Sequence, residues 1–362
     1  MRVLHLLNDV TCVGNGIVNV AVDLACTQAK KGHQVVVASA GGAFEDLLGN
    51  YGVTHVRVVQ QGGLRTTFRA LILIGRLIRR FHPDVVHVHM RTGVLLACAV
   101  KPIGSFRIIA TVHNEFQRGA VLMGLADRVI AVSAAVRTKL IKRGIPARRL
   151  DTVRNGTLGS PRYTLFDPSG PKPTLLHPCV ATVAGLFDRK GILDILSAFE
   201  ILGGAHPNLH LYLIGDGPQR TKYEAVANKS SHHGRIHFEG FQPDVSVYLE
   251  QVDIFVLASH NEPFGLAVGE ARKAGAAIIA TDVDGIPEVL ENGARGILVK
   301  PRDPQSLAAA VHRLLHDPEQ LRHWRKQASE NMEWLSVERM ATQVLEVYLT
   351  ALGCSPPSMS AE

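Results

Sequence analysis

Apolar runs of strand length alternate with helical segments along nearly the whole chain, and this alternation most restricts the possible fold. Such a rhythm is typical of parallel sheets whose strands are joined by crossover helices. The pattern runs once to about residue 154 and restarts near residue 179. We therefore predict an α/β protein with two doubly wound, Rossmann-like domains. The predicted strands are 3–7, 34–38, 53–59, 85–88, 107–112, 128–132 and 150–154, then 179–184, 210–214, 235–239, 253–258, 276–280 and 296–299.

The boundary between the two domains is predicted within residues 157–175, where four prolines and two glycines interrupt both strand and helix patterns. A length of 362 residues also exceeds what one hydrophobic core usually fills. We predict domains over 1–165 and 166–336, a helix over about 337–352 that can pack back onto the first domain, and a disordered tail over 354–362. In open α/β sheets ligands bind at the carboxyl ends of the strands, so we expect a cleft between the two domains.

Charge is distributed unequally between these domains. Residues 1–165 hold 22 Lys and Arg against 8 Asp and Glu, a net charge of +14, whereas residues 166–362 hold 17 against 24, a net charge of −7. A basic first domain indicates an anionic partner, such as a membrane surface or a phosphorylated lipid. Nucleic acid is disfavoured, because aromatic residues are only 6% of the chain and no nucleic-acid-binding motif is found.

The sequence favours a cytoplasmic location. The longest apolar run, residues 94–100, is far shorter than the roughly 18 residues that a membrane-spanning helix needs. The chain begins in a strand-like segment without the pattern of a secretory signal. Its five cysteines are scattered without a paired spacing, as expected for reduced thiols.

Gly14 and Gly16 follow the first predicted strand and open the first helix. Asn19 occupies the position of the third glycine in the dinucleotide-binding fingerprint, and no acidic residue ends the second strand, so an NAD site is disfavoured. Glycine here either lets the backbone approach a phosphate or a sugar, or makes a tight turn.

A second glycine-bounded loop follows the first strand of the second domain. It runs from Gly185 to Gly191 and contains Arg189 and Lys190. Two adjacent cations before a helix can bind a diphosphate, since Arg offers a bidentate fork and Lys a point charge. A solvated Arg-Lys pair is the alternative.

Two carboxylates, Glu262 and Glu270, bracket a loop and helix start that follow the buried run 253–258. Pro263 and Gly265 between them leave backbone N–H groups free to point at a ligand. The helix dipole favours an anion at such a position.

Other polar clusters allow more than one interpretation. His113 directly follows a predicted strand, at the end where ligands bind, although a structural role is equally open. His87 and His89 point to the same face of a strand, but no third ligand is evident, so a structural role or a position at the cleft edge is favoured over a metal site. Asp282 and Asp284 could hold a cation, but turn and helix-cap chemistry also explains them.

Residues 65–81 predict a basic amphipathic helix that combines five arginines with seven large apolar side chains. Such a helix can lie on an anionic bilayer. Alternatively, it is a crossover helix whose apolar side packs on the sheet.

Together these motifs resemble glycosyltransferase family 4 (GT4), whose retaining enzymes have the GT-B fold, and within it the bacterial exopolysaccharide transferases. Glu262 and Glu270 match the family's E-x7-E motif in its EPFG context, and residues 185–191 resemble its GRL…KG loop. Residues 155–156 resemble its NG pair, and residues 281–288 its TDVGGIPE loop. Leu186 replaces the arginine that is usual in the family.

The resemblance implies a role for each matching residue. Glu270 would hold the ribose of the nucleotide, and Arg189 with Lys190 would neutralise the leaving diphosphate. His113 would contact the donor sugar near its reacting carbon, and Glu262 would grip that sugar. The remaining donor-binding contacts would come from backbone and loop positions, namely Gly14, Gly16, Gly185, Phe264, Gly265 and Leu266.

The activity implied is that of a metal-independent, retaining hexosyltransferase (EC 2.4) that needs no cofactor. It would move a hexose from a UDP- or GDP-linked sugar to a lipid-linked or growing glycan, peripherally at the inner face of the cell membrane. Cleavage of the glycosyl-phosphate bond places negative charge on the diphosphate, which a preorganised cationic pair stabilises. A GT-B epimerase or phosphorylase, or a catalytically silent sugar-nucleotide-binding protein, is the alternative.

Overall fold

The computed structural model describes residues 1–114, 119–166 and 172–354. The chain forms two compact units. The first comprises Met1–Leu165 together with the segment from Leu335 onward, and the second comprises Phe166–Trp334. The predicted tail over 354–362 lies outside the described residues except for Cys354.

The first unit is built on a seven-stranded parallel sheet. Its strands are β1 (Arg2–Leu6), β2 (Gln34–Ser39), β3 (Thr54–Arg57), β4 (Val85–Val88), β5 (Arg107–Val112), β6 (Arg128–Ala131) and β7 (Leu150–Thr152). Their order in the sheet is β3-β2-β1-β4-β5-β6-β7. The α-helices of this unit are α1 (Gly16–Lys30), α2 (Glu45–Asn50), α3 (Leu64–Phe81), α4 (Arg91–Val100), α5 (Ala134–Lys142) and, from the end of the chain, a long helix over Val337–Leu352.

Local sequence explains where these elements begin. The central strands are buried on both faces, which is why their inner positions are Val, Ile, Leu and Ala apart from His5, His87 and Thr111. The side chain of Asn15 caps α1 by accepting a hydrogen bond from the N–H of Ile17. The strand order reverses between β1 and β4, and this switch point is where open α/β sheets bind ligands.

The second unit is built on a six-stranded parallel sheet with the order β10-β9-β8-β11-β12-β13. Its strands are β8 (Cys179–Val183), β9 (His210–Ile214), β10 (Ile236–Gly240), β11 (Ile254–Leu257), β12 (Ala277–Thr281) and β13 (Ile297–Val299). Its helices are α6 (Ile192–Gly203), α7 (Arg220–Ala227), α8 (Ser246–Leu249), α9 (Leu266–Ala274), α10 (Ile286–Val289), α11 (Pro304–His316) and α12 (Pro318–Ala328). The helix over Val337–Leu352 is therefore α13. The switch point of this sheet lies between β8 and β11.

Helix α13 completes the first unit. Its N-cap, Ser336, forms a β-bridge with Leu158, and the Arg339 guanidinium donates to the backbone carbonyl of Asn155 at 3.1 Å. Near its other end, the Tyr348 side chain is fully buried. The last helix of the chain thus contributes to the core of the domain that the chain begins with.

Candidate functional site

The loops that follow β8 and β11 lie on either side of the switch point in the second sheet. They carry Gly185, Arg189 and Lys190 on one side and Glu262 on the other. Parallel strands end at the same edge of a sheet, so these residues share the edge where ligands bind in such folds.

Gly191 allows these two loops to meet. Its φ is +65°, and a Cβ at this position would collide with the carbonyl oxygen of Ala258 at the end of β11. Next to this contact, the backbone N–H of His260 donates to the carbonyl of Arg189 at 2.7 Å. The glycine of the sequence motif therefore brings Lys190 close to the loop that carries Glu262.

Lys190 and Glu262 form a charged hydrogen bond between Nζ and Oε2. Both side chains are largely buried, with exposed fractions of 14% and 11%. Ser259 Oγ donates to the same carboxylate oxygen at 3.2 Å, and the N–H of Glu262 donates to Asp284 Oδ2 at 3.1 Å. The family resemblance assigned Lys190 and Glu262 to different parts of a substrate, whereas in the structure they are direct partners.

Helix α9 begins at Leu266, three residues after Pro263. Its N-cap, Gly265, has φ +99° and makes no side-chain cap hydrogen bond. The Phe264 side chain is buried, so of this residue mainly the backbone is available to a ligand. Glu270 is the fifth residue of the helix and is half-buried.

Leu186 stands at the position where the family usually has an arginine, and the structure shows where its side chain lies. The Leu186 side chain is 1% exposed and belongs to the hydrophobic core of the second unit, so this position does not present a side chain to the site. Arg189 is half-buried, and its guanidinium carbon lies 5.6 Å from the centre of the Phe187 ring. Of positions 186 and 189, only position 189 therefore places a cation at the edge of the sheet.

A cavity of about 430 Å³ is lined by residues of the same two loops, including Arg189, Gly191 and Asn261, which are the sequence neighbours of Lys190 and Glu262. His260 contributes to its wall and forms a 2.6 Å contact from Nε2 to Asp194 Oδ2 in the first turn of α6. Sequence reasoning missed this pair. The alternation of strands and helices could have indicated the pair, since Asp194 follows β8, His260 follows β11, and both strands end at the same edge of the sheet. The other lining residues are Asp188, Leu193, Tyr223 and Arg302.

Four buried histidines lie in the first unit. His5 of β1 and His87 of β4 are paired in register, and the rings of His87 and His89 stack 4.3 Å apart. His5 Nδ1 lies 3.1 Å from His89 Nε2, and His89 Nδ1 lies 3.1 Å from His113 Nε2. His113 is thus the end of a line of hydrogen-bonded rings. Gly14 and Gly16 flank the N-cap of α1 in the same unit.

No third ligand for His87 and His89 is evident in the sequence, but the structure places His5 beside them. His5 completes a group whose nitrogens all lie within 4.8 Å of one another, a spacing that could hold a metal ion. However, both nitrogens of each of these rings already have hydrogen-bond partners: the remaining ones are Gln28 for His5, and Tyr348 and Thr111 for His87. A metal ion would have to displace several of these bonds.

Burial keeps these imidazoles neutral, because charge is costly away from water. It lowers the pKa of His113 to about 3 and that of His5 to about 4. The pKa values of His87 and His89 are lowered well below the usual range by burial and, secondarily, by the neighbouring histidines.

Solved structures define the class of this fold. The crystal structure of Anabaena HepE in complex with UDP-glucose superposes with a TM-score of 0.81 at 20% identity, covering 97% of this chain and 100% of that one. The glycosyltransferase WaaG, which is involved in lipopolysaccharide biosynthesis, superposes with a TM-score of 0.75 at 14% identity over 96% and 99% of the two chains. The predicted GT-B fold is confirmed.

Family models identify the chain more closely. The model Glycosyltransferase Family 4 matches residues 14–157, and the model Glycosyl transferases group 1 matches residues 176–331. Together they span most of the sequence, and the chain belongs to the GT4-type glycosyltransferases.

Curated relatives agree with this assignment. The glycogen synthase of Mycobacterium tuberculosis is 28% identical over 298 residues, or 75% of this chain and 70% of that protein. The N-acetyl-alpha-D-glucosaminyl L-malate synthase of Bacillus anthracis is 25% identical over 384 residues, or 96% and 98%. The predicted transferase class, EC 2.4, is supported. Within the described residues, every helix is too short or too polar to cross a bilayer.

Proposed function

We propose that this protein is a retaining, metal-independent hexosyltransferase. It transfers a hexose from a UDP- or GDP-linked sugar to a lipid-linked or growing glycan, such as an exopolysaccharide. The observation that carries the proposal is the Lys190–Glu262 pair at the switch point of the second sheet, beside the uncapped start of α9. A cation and a helix N-terminus at one edge are suited to a leaving diphosphate.

The ion pair suggests how substrate binding proceeds. A diphosphate carries more negative charge than one carboxylate, so it competes with Glu262 for the Lys190 ammonium. Glu262, released from Lys190, then accepts hydrogen bonds from sugar hydroxyls. Arg189 adds a second cation, and Glu270, farther along α9, binds the ribose. The ligand contacts of Lys190 and Glu262 thus replace the bond between these two side chains.

Substitution of Lys190 tests this arrangement. Lys190→Ala removes a charge that stabilises the leaving diphosphate, and we expect kcat to fall by roughly 100-fold or more. The matched control is Lys172→Ala, which removes the lysine of an exposed pair with Glu250 in the same unit and should leave kcat nearly unchanged. Equal rates for both variants would disprove the assignment.

A donor screen by mass spectrometry identifies the sugar and the base. UDP-glucose is the first probe, because a structural neighbour was solved in complex with it. Transfer to an acceptor with retained anomeric configuration, unaffected by EDTA, is the expected result. Interconversion of free nucleotide sugars or phosphorolysis would instead indicate an epimerase or a phosphorylase. Binding without turnover would indicate a silent sugar-nucleotide-binding protein.

We also propose that α3 holds the first unit against an anionic membrane surface. Its buried stripe, Ala70, Ile74 and Ile78, packs on the unit as expected for a crossover helix. Its outer side nevertheless exposes large apolar side chains, among them Leu64 at 91% and Phe68 at 65%. The arginines on this helix are exposed as well, at positions 65, 69, 76, 79 and 80. Apolar and cationic groups together favour an anionic interface.

Flotation with vesicles measures this contact. We expect binding to phosphatidylglycerol-containing vesicles that weakens as salt rises, and little binding to phosphatidylcholine alone. Phe68→Ser should weaken it, whereas Ile201→Ser, at an apolar position of the second unit that is 51% exposed, should not. Absence of binding at low salt would refute the proposal.

A further inference from the structure

Gln28 begins the line of hydrogen bonds that ends at His113. Its side-chain Oε1 lies 2.8 Å from His5 Nε2, and the line continues from His5 to His89 and from His89 to His113. All four side chains are buried: Gln28 is 1% exposed and His113, at the end of the line, is 7% exposed. This line connects helix α1 to the loop that follows β5.

The position of the proton on each ring in the line is fixed by the position of the proton on the neighbouring ring. A neutral imidazole has one N–H donor and one bare acceptor nitrogen. When such rings bond nitrogen to nitrogen, each must donate in the same direction along the line. The group at one end therefore decides which nitrogen is protonated in every ring, including the last.

Gln28 is that deciding group. An amide oxygen only accepts hydrogen bonds, so His5 Nε2 must donate to it, and His5 Nδ1 is bare. His89 Nε2 then donates to His5, and His113 Nε2 donates to His89. This leaves the proton of His113 on Nε2 and a lone pair on its Nδ1.

The orientation of the Gln28 amide is coupled to a second set of bonds. Its Nε2 donates to the Tyr348 hydroxyl at 3.2 Å, and that hydroxyl lies 2.6 Å from His87 Nδ1. His87 Nε2 in turn lies 2.7 Å from Thr111 Oγ1. Turning the amide around would require the protons on Tyr348 and on all four histidines to reverse together.

We propose that Gln28 is a positioning residue that fixes the tautomer of His113. The bare Nδ1 of His113 then accepts a hydrogen bond from a hydroxyl of the sugar substrate. This second part rests on the proposed function. The tautomer itself is a property of the protein without substrate, and the two parts are therefore tested separately.

The tautomer is measured by nitrogen NMR on the full chain labelled at histidine, with the His113 signals assigned by their loss in His113→Asn. We expect a protonated Nε2 and a bare Nδ1 in the unsubstituted protein. Gln28→Met keeps the side-chain length but removes the acceptor, so the His113 signals should shift towards a mixture of tautomers. The control Gln61→Met, at an exposed position of the same unit, should leave them unchanged.

Tyr348→Phe provides a second variant if Gln28→Met does not fold. It removes only the hydroxyl that orients the amide, and a mixed tautomer is again expected. A proton on His113 Nδ1 in the unsubstituted protein would overturn the proposal. So would an unchanged tautomer in whichever of the two variants folds.

Monodeoxy analogues of UDP-glucose test the sugar contact. In the unsubstituted protein, kcat/KM should be lower for the analogue that lacks the hydroxyl bound by His113 than for UDP-glucose. In Gln28→Met, the ratio of kcat/KM for UDP-glucose to kcat/KM for this analogue should be about 5- to 10-fold smaller. A changed tautomer with unchanged discrimination would disprove the contact with the sugar. If no nucleotide sugar binds at all, the proposed function fails, and the NMR result alone decides the tautomer.

Discussion

The two sheets have the same parallel architecture but place different chemistry at their switch points. The first unit buries neutral imidazoles at β1 and β4, held by hydrogen bonds among themselves and to Gln28, Tyr348 and Thr111. The second unit holds an ion pair between the loops after β8 and β11. Neutral rings can be completely buried without a counter-ion. In an ion pair, by contrast, the cation is already charged and can exchange its carboxylate partner for an anionic ligand.

The two units should therefore lose stability in acid to different extents, and this is the largest effect expected, because the histidines of the second unit whose pKa is lowered, His206, His210 and His237, are only half-buried. The four histidines have pKa values below the 6.5 of an unfolded histidine, so the unfolded chain binds more protons as the pH falls. Their stabilising contribution is complete above pH 6.5 and is lost as the pH falls below it; for His5 and His113 the loss is roughly 2 kcal/mol per ring between pH 7 and 5. Asp23 opposes this trend, since burial raises its pKa, but it is a single group.

Hydrogen exchange by mass spectrometry measures this difference within one chain. After correction for intrinsic exchange rates, peptides from β1 and β4 should lose protection between pH 7 and 5 before peptides from β8 and β11. Both tryptophans, Trp324 and Trp334, belong to the second unit, so their fluorescence offers an independent control. Equal loss of protection in both units would contradict the prediction that acid destabilises the first unit more than the second.

Breaking the ion pair from one side should destabilise the second unit by about 3 kcal/mol. Lys190→Met leaves the Glu262 carboxylate largely buried without its counter-ion. The double variant Lys190→Met/Glu262→Gln removes both charges and should recover part of the loss. Urea unfolding followed by tryptophan fluorescence reports on this unit. Additive effects in the double variant would show that the two charges are not energetically coupled.

Gly191→Ala should produce a smaller effect, about 2 kcal/mol, because a Cβ would push against the Ala258 carbonyl. Gly293→Ala is the matched control: its φ is also positive, at +94°, but the nearest atom to an added Cβ is Leu298 Cδ1 at 3.8 Å. The control should lose only about 1 kcal/mol from backbone strain. The same urea titration compares them, and equal losses would show that close approach to Ala258 is unimportant.

Sequence patterns were sufficient to predict the strands, because central parallel strands are continuous apolar runs with little ambiguity. The edge strand β3 was predicted over 53–59 but spans only Thr54–Arg57. Its residues are half-buried or exposed, so the apolar pattern that marks an inner strand does not define its ends.

Contacts between loops could not be predicted in the same way. The bond between Lys190 and Glu262 joins residues that are 72 positions apart, and it depends on β8 lying beside β11. His5 reads as one polar residue within an apolar strand, and only the register with β4 places it beside His87. Motif spacing identified the candidate residues, but strand order decides which of them meet.

Helix α13 has a consequence for how the protein folds during synthesis. The Tyr348 hydroxyl contacts His87, which lies 261 residues earlier in the chain. The N-terminal sheet emerges from the ribosome long before the helix that covers Gln28 and His87, so these polar groups stay without their partner throughout synthesis of the second unit. The domain that is translated first is therefore completed last.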